Sequence, residues 1–447
     1  MAAARKAPAP PTSLRIRAYN VGFGDCFLLT FRYAAGSPRH VLVDFGTTAL
    51  PANRKTPTME QIADDIRAEC GGHLDMVVAT HRHTDHISGF AGSAGRVITS
   101  LDPDLVVLPW TEDPALAEDA TAPLPNPTGS PGPTPGPPAL AARMQRAVSR
   151  LDDMHAVAGL VAREAARVAP LSGVPAALAA QLAFLGEENL KNREAVVNLM
   201  NLGKKRVYAA HGTKLPVTSV LPGVKIDVLG PPTLKQSKAI EHQASTDPDE
   251  FWHLAATTAR TVAPGSTAKP IFPQAKKAAH IPQEARWLIP KIDRMNAEEL
   301  LSIVRILDEA MNNTSLILLF EVGGKLLLFP GDAQIENWRY ALQDAPDAAA
   351  TRTRLAGVHV YKVGHHGSLN ATPRKLLWEN FARLDAPVPA DRMVTLLSTR
   401  TGKHGATARG TEVPRTTLLK QLAERTALVD TQDIPAKEFF VDHEVAL

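Results

Sequence analysis

A short cluster of metal-type side chains directly after an apolar run is the feature that most constrains this chain. Within six positions lie His81, His83, Asp85 and His86. The preceding run, residues 76–79, is entirely apolar and predicts a buried strand, so the cluster lies on the turn that leaves this strand. Imidazole and carboxylate together suit zinc, manganese or iron. Four such groups in one short loop cannot all bind one ion in good geometry, so we expect two adjacent metals; the alternative is a polar loop with incidental histidines.

Composition allows a large core and argues against several classes of protein. The chain has 447 residues, 44% of them apolar, and a net charge of +3 from 49 basic and 46 acidic residues. This near balance excludes a polybasic nucleic-acid coat, so any nucleic-acid site would be local. Cys26 and Cys70 lie in or beside apolar segments and are expected to be core residues. There is no secretory signal and no apolar run of about 20 residues, which predicts a soluble, cytoplasmic protein without a membrane partner.

The apolar runs predict two β-rich blocks separated by a long insertion. The first block, residues 14–110, contains a hairpin, a strand ending at Asp44, a helix from Met59 to Cys70 and two further buried strands. Residues 111–310 open with a proline-rich excursion and are otherwise expected to be mostly helical, with a core strand near residues 224–231. The last block, residues 311–447, returns to apolar strands and a short helix.

Four strand ends carry residues of metal-ligand type. They are Asp44, the cluster at residues 81–86, Asp332, and the adjacent pair His365 and His366. Strand ends of a layered sheet converge on one edge, where active sites of α/β proteins assemble. Each of the later residues alone is a weak signal, since a Gly-Asp pair after a strand is usually a turn. Their common position after apolar strands predicts one constellation.

This constellation resembles the metallo-β-lactamase fold hydrolases, whose signature is a His-x-His-x-Asp-His loop followed by a distant aspartate and a distant histidine. Within that superfamily the chain is most similar to the hydrolase domain of competence DNA-uptake proteins of the ComEC type and its free-standing relatives. The resemblance extends from residue 14 to about residue 400. The matching segments are residues 21–25, 42–46, 80–89, 312–316, 329–332 and 362–368.

The resemblance implies a fold, a ligand set and a mechanism. The implied fold is an α/β, four-layer αβ/βα sandwich with a largely helical insertion. His81 and His83 would hold the first of two divalent ions, zinc or manganese. Asp85 and His86 would hold the second together with His365, although His366 is an alternative ligand. Asp332 would bridge the metals, Asp44 would orient the metal loop, and the metals would activate water, with Asp85 also able to accept a proton.

The chain departs from the superfamily pattern at one place. Many members have a further histidine as the third ligand of the first metal, on a loop before the strand that leads to the bridging aspartate. Here residues 312–315 read Asn-Asn-Thr-Ser. Asn313 could ligate weakly through its carbonyl, or water could fill the place, and manganese becomes an alternative to zinc.

A loop near the C-terminus is a candidate substrate side. His404 lies where the similar proteins carry a Gly-His-Pro motif, although the local order differs here. With it, Arg400, Lys403, Arg409 and Arg415 predict a local positive field for phosphate, against the alternative of an ordinary solvated loop. Asp25 is either structural in its turn or a support of the metal ligands.

These observations predict a metal-dependent hydrolase, with a phosphodiesterase or nuclease as the first expectation and nucleic acid as its substrate. Three alternatives remain open. The chain could hydrolyse another ester, such as a lactone or thioester, if its pocket is apolar. It could be an iron-dependent oxidoreductase. It could instead be a non-catalytic protein with a vestigial site, whose insertion binds a protein partner.

Overall fold

The computed structural model of the protein describes residues 9–51, 57–116, 120–124, 193–237, 312–368, 371–404 and 412–447. The chain divides into two compact units. The first comprises Met1–Pro135, Glu194–Ile240 and Met311–Leu447, and the second comprises Gly136–Arg193 and Glu241–Ala310. Apart from Arg193, the second unit lies outside the described residues, and so does most of the predicted insertion, including its proline-rich excursion.

The described part of the first unit is mixed α/β, with two mixed sheets and seven helices. The first sheet has the order β13-β1-β2-β3-β4-β5-β6. Its pairings are antiparallel from β13 to β3 and parallel from β3 to β6. The strands are β1 Ser13–Tyr19, β2 Cys26–Arg32, β3 Arg39–Phe45, β4 Met76–Val78, β5 Leu105–Pro109, β6 Lys205–Ala209 and β13 Phe440–Ala446.

The second sheet has the order β12-β11-β10-β9-β8-β7. Its first three pairings are parallel, and those of β9 with β8 and of β8 with β7 are antiparallel. The strands are β7 Lys225–Gly230, β8 Ile317–Val322, β9 Lys325–Phe329, β10 Val360–Lys362, β11 Val394–Leu397 and β12 Ala427–Asp430.

Seven α-helices flank these strands in the described residues. They are α1 Met59–Glu69, α2 Thr84–Ile87, α3 Gly92–Ser100, α4 Arg193–Asn201, α5 Ile335–Arg339, α6 Ala348–Ala356 and α7 Thr416–Arg425. The first begins where the sequence predicts it, because Thr58 and Gln61 form a capping box that satisfies the first backbone N–H groups.

The two sheets share one hydrophobic cluster. It contains Phe27 and Val43 from the first sheet and Phe320, Phe329 and Val360 from the second. The rings of Phe27 and Phe329 lie 5.9 Å apart in an edge-to-face arrangement. A second cluster joins the other face of the second sheet to helices α5, α6 and α7, with Trp338 and Leu422 among its buried members. Both faces of the second sheet are therefore buried, as parallel strands require.

Residues 205–209 and 225–230 are strands of the two sheets, although the sequence places both within the insertion. Strand β6 pairs with β5, and β7 pairs with β8. The predicted core strand near residues 224–231 is β7. The last block also does more than complete the second sheet, because β13 pairs with β1 along the edge of the first sheet.

Two smaller expectations can be compared with the structure directly. Cys26 and Cys70 are both free and buried, as predicted for core residues. Among the described residues, none of the helices is both long and apolar enough to cross a membrane.

Candidate metal centre

The carboxyl ends of strands from both sheets bring the predicted ligands together. Asp44 lies in β3, the histidine cluster follows β4, Asp332 follows β9, and the His365–His366 pair follows β10. One carboxylate oxygen lies at the centre of the arrangement. Asp332 Oδ2 is 3.0 Å from His86 Nε2, 3.8 Å from His365 Nε2, and 3.9 Å from the Nε2 atoms of His81 and His366.

The histidine loop has a defined local structure. His83 has an extended backbone and is the N-cap of the single-turn helix α2, whose first residues are Thr84 and Asp85. The N–H of His86 donates to the carbonyl of His83 at 3.0 Å, which closes this turn. The backbone changes from extended to helical at His83. His81 and His83 therefore point to a different place from Asp85 and His86, although all four lie close together in the sequence.

His81 and His83 form the first half of the site. Both are buried, and His81 Nε2 faces His83 Nδ1 at 3.0 Å. Two ligands of one tetrahedral ion with bonds of about 2.0–2.1 Å lie about 3.3 Å apart, so this separation suits a shared ion. Burial lowers the pKa of His81 well below its usual range and that of His83 to about 4. Both imidazoles are therefore neutral at pH 7, as metal ligation requires.

Four further groups, Asp85, His86, Asp332 and His366, form the second half. Each offers one ligand atom, and these atoms all lie within 4.8 Å of one another. His366 Nε2 is 2.8 Å from Asp85 Oδ2. Asp85 Oδ1 is a buried atom without a hydrogen-bond partner among the described residues. Such an atom is costly unless something else satisfies it, and a metal ion would do so.

The electrostatic field of this half favours a cation. Burial lowers the pKa of His86, but the carboxylates of Asp332 and Asp85 outweigh it and hold the pKa well above its usual value. Burial also opposes the charged form of His366, yet Asp25 and Asp85 raise its pKa. The surrounding carboxylates thus stabilise positive charge at these places, whether on imidazolium or on a metal.

The structure distinguishes the two adjacent histidines after β10. His366 is fully buried and its Nδ1–H donates to the Ser398 carbonyl at 2.9 Å, which directs Nε2 towards Asp85 and Asp332. The His365 side chain is 27% exposed and its backbone N–H donates to Asp332 Oδ1 at 3.1 Å. Both residues have positive φ, 46° and 50°, a strained conformation that is concentrated at functional sites. His366 therefore joins Asp85, His86 and Asp332 in one group of potential ligands, and His365, which the resemblance names first, lies beside it.

Asp44 supports the histidine loop, in the role expected for it from the sequence. One carboxylate oxygen accepts from the Thr80 N–H at 2.7 Å, and the other accepts from the Thr80 hydroxyl at 2.8 Å. The second oxygen also accepts from His86 Nδ1–H at 2.8 Å. This last bond fixes the orientation of the His86 ring and leaves Nε2 facing Asp332, as the partners of ligating histidines do.

A buried ion pair behind the ligands was not predicted from the sequence. Lys362 Nζ pairs with Asp25 and lies 3.7 Å from Asp332 Oδ1. Asp25 in turn has its carboxylate 3.5 Å from His86 Nδ1 and 3.7 Å from His366 Nδ1. Burial would lower the pKa of Lys362, but Asp25 and Asp332 raise it, so the ammonium stays charged. The available signal was a lysine inside the apolar strand β10, since buried lysines are almost always paired.

The segment that replaces the usual third histidine lies beside the site. Asn312 and Asn313 are buried, and the Ser315 hydroxyl accepts from the Asp332 N–H at 3.3 Å. Asn337 donates to the carbonyls of Asn313 and Ser315 at 3.3 and 3.0 Å. These bonds fix the segment against the loop that carries Asp332. Ligation by the Asn313 side chain stays a prediction.

The predicted substrate-side loop is only partly assembled at the site. His404 is half-buried with its ring 4.2 Å from that of Phe23, and Phe23 lies 4.3 Å from the ring of His366. Burial and Lys403 lower the pKa of His404 to about 3, so it is neutral. Arg400 donates to the Leu50 carbonyl at 2.7 Å and so connects this loop to the loop that follows β3. Arg409 lies outside the described residues, and Arg415 pairs with Glu412.

Another group of potential ligands, His73, Asp75 and Asp104, is already neutralised by cations. Asp75 pairs with Arg39 at 2.6 Å and accepts from the His40 N–H at 2.7 Å. Asp104 pairs with Lys204 at 2.7 Å. These ion pairs account for the carboxylates, so we assign this group a structural role.

No protein-family model matches this chain, and no curated protein matches it either.

Proposed function

We propose that this chain is a metal-dependent hydrolase with a binuclear site, and that its substrates are phosphodiesters. The observation that carries the proposal is the position of Asp332 Oδ2, within 3.0–3.9 Å of four imidazole nitrogens from two separate loops. A carboxylate so placed suits a ligand that bridges two ions. The shared core of the two sheets, with helices against the far face of the second, supports a four-layer αβ/βα sandwich of the metallo-β-lactamase type.

The donor set fits two divalent ions, zinc or manganese. His81 and His83 would hold one, Asp85, His86 and His366 the other, and Asp332 both. A mixed set of imidazole nitrogens and carboxylate oxygens suits zinc or manganese, whereas magnesium prefers sites made of oxygen ligands alone. When bound, such ions would lower the pKa of a coordinated water and would stabilise charge on the attacked phosphate.

The charges of the chain fit this occupancy. Four carboxylates, of Asp25, Asp44, Asp85 and Asp332, are buried in the site, and Lys362 is the buried lysine that pairs with Asp25. Bound cations would offset this excess of carboxylates and so avoid the large cost of uncompensated buried charge.

The side chains around the ligands supply positioning and proton transfer. Asp85 Oδ1 is buried and has no hydrogen-bond partner among the described residues, so it is placed to accept the proton of an attacking water. Asp44 and Ser398 fix the rings of His86 and His366. His404, neutral and one ring away from His366, is placed to donate a hydrogen bond to a phosphate oxygen.

One observation favours a second candidate, hydrolysis of another ester. A small cavity beside His81 is lined mainly by apolar side chains, among them Leu108, Val196, Leu199 and Met200. Arg82 and Glu112 also line it and lie 3.7 Å apart. The apolar lining favours an alkyl group over a phosphate, but the cavity volume of about 10 Å³ holds a group no larger than a methyl unless the walls move apart.

The test combines metal analysis with a substrate panel. We expect purified protein to hold two zinc or manganese ions and to hydrolyse bis-p-nitrophenyl phosphate and single-stranded DNA. His83→Ala and Asp332→Ala should each lower hydrolysis by more than about a hundredfold, beyond the effect of losing a supporting residue. A lactone and a thioester in the same panel address the second candidate.

Two variants in the neutralised group serve as controls. His73→Gln and Asp104→Asn remove the same residue types outside the site and should leave metal content and hydrolysis unchanged. Equal phosphodiester hydrolysis in His83→Ala, Asp332→Ala and the unaltered protein would overturn the proposal. Hydrolysis of the lactone or thioester alone would replace it with the second candidate.

A further inference from the structure

A basic pocket lies beside the segments that carry Asp332 and His366. It has a volume of about 400 Å³. Three of its lining residues, Ile335, Pro373 and Leu376, are apolar. The others are polar or basic, namely Arg339, Gln343, Arg374 and Lys375. The lining contains no carboxylate, so the pocket has a net positive charge.

The cations of this pocket are largely uncompensated. Arg374 pairs with Glu379 at 2.9 Å, but its side chain is 84% exposed, so solvent screens this ion pair and it compensates little of the arginine's charge. Arg339 and Lys375 are exposed. Within the ranges that the structure describes, neither has an acidic side chain within ion-pair distance. Exposed cations without partners on one concave surface raise the local concentration of anions.

The pocket lies close to the candidate metal centre. Ile335, in its wall, is three residues after Asp332, so their Cα atoms are at most about 11 Å apart. The opposite wall follows the loop of His366. Trp338 Nε1–H joins the two walls by donating to the Ala371 carbonyl at 3.1 Å. Along the axis of duplex DNA each strand advances about 3.4 Å per nucleotide, so a separation of about 11 Å corresponds to about three nucleotides.

We propose that this pocket binds a backbone phosphate of a nucleic-acid substrate a few nucleotides away from the bond that is cleaved. The inference rests on the proposed phosphodiester hydrolysis and adds a substrate class to it. The planar guanidinium of Arg339 presents a fork of donors to two phosphate oxygens, and Lys375 adds a point charge. Phosphate contacts of this kind position the strand without reading its sequence.

The test compares two double variants of the full chain loaded with metal. Arg339→Gln with Lys375→Gln removes the two unpaired cations of the pocket. Arg96→Gln with Lys437→Gln removes two cations that are likewise exposed and without acidic partners in the described part of the chain. Binding of a fluorescein-labelled, phosphorothioate-linked single-stranded oligonucleotide is followed by fluorescence anisotropy at several salt concentrations. Hydrolysis of bis-p-nitrophenyl phosphate is measured in parallel.

We expect the pocket variant to bind the oligonucleotide about tenfold more weakly at 0.15 M salt, with the salt slope reduced by about 1.4. For cleavable DNA its KM should rise, while its hydrolysis of bis-p-nitrophenyl phosphate stays unchanged, because that molecule is too small to reach the pocket. The control variant should bind as the unaltered protein does.

Equal binding by the pocket variant and the unaltered protein would overturn the inference, as would equal weakening in both double variants. If the unaltered protein failed to hydrolyse bis-p-nitrophenyl phosphate, the proposed function would fail. The anisotropy comparison would then still decide whether the pocket binds phosphate.

Discussion

Lys362 is a buried cation among the carboxylates of the candidate metal centre. Its side chain is 3% exposed and pairs with the fully buried Asp25. Lys362→Met leaves that carboxylate buried without its partner, a change that typically costs about 3–5 kcal/mol. We expect a loss of this size in the free energy of unfolding, measured by urea denaturation monitored by tryptophan fluorescence.

The double variant Lys362→Met with Asp25→Asn provides the matched control. It removes both charges, so it should recover most of the lost stability, since replacing both members of a buried pair is often close to neutral. If the single and double variants were equally unstable, the loss would come from packing of the lysine side chain and not from the unpaired charge.

The predictability of single residues depends on whether their role is local in the sequence. His81, His83, Asp85 and His86 are recognisable because one loop carries all four. The choice between His365 and His366 is not predictable in this way. Both adopt positive φ, so the alternation of an extended strand does not apply to them. The role of Lys362 depends on Asp25, 337 positions earlier, and only the folded sheets bring the two together.

At the scale of elements, the turn after β9 approaches the histidine loop so closely that Gly331 has no room for a side chain. Its φ is +54°, and a Cβ would lie 2.7 Å from Thr80 Cβ. Gly331→Ala therefore meets two costs, the left-handed conformation at about 1–2 kcal/mol and the displacement of Thr80. We expect it to lower the free energy of unfolding by more than about 2 kcal/mol and to weaken metal binding in calorimetric titration.

A substitution at Gly324 distinguishes these two costs, because it has only one of them. Its φ is +74° and nothing lies within 4 Å of its Cβ position, so Gly324→Ala has only the conformational cost. It should lose about 1–2 kcal/mol and keep full metal affinity. Equal effects of the two substitutions on stability and on metal titration would show that the close approach of Gly331 to Thr80 has no consequence.

Buried strands were predictable as elements, whereas the more exposed strand β13 and the short helix α5 were not. The apolar runs at β2, β5, β8 and β9 predict those strands to within about two residues, because both of their faces need apolar side chains. The sequence of β13 shows no such run, since its charged residues are satisfied across the sheet. Asp442, for example, pairs with Arg17 at 2.8 Å. The five-residue helix α5 is too short to display a period.

For the whole molecule, the sequence predicts the α/β class and two β-rich blocks, but not the exchange of strands between them. Strands β6 and β7, from residues 205–230, add to different sheets. Strand β13 returns from the last block to pair with β1, in a register that places Ile16 opposite His443. Pairings over such distances depend on sheet edges that exist only after folding, so periodicity alone does not reveal them.

The buried charges connect metal binding to the stability of the whole molecule. Four carboxylates converge on the edges of both sheets, and they raise the pKa values of His86, His366 and Lys362. A metal bound to the folded state alone adds RT ln(1 + [L]/Kd), about 4 kcal/mol at a concentration a thousand times Kd. We expect the melting temperature, measured by scanning calorimetry, to rise with zinc or manganese and to fall after chelation.

Magnesium is the control ion, because imidazole ligands make it much less effective at this site. Asp332→Ala should abolish most of the rise and Asp104→Asn should leave it intact, whereas an equal rise in both variants would place the stabilising ion elsewhere in the chain.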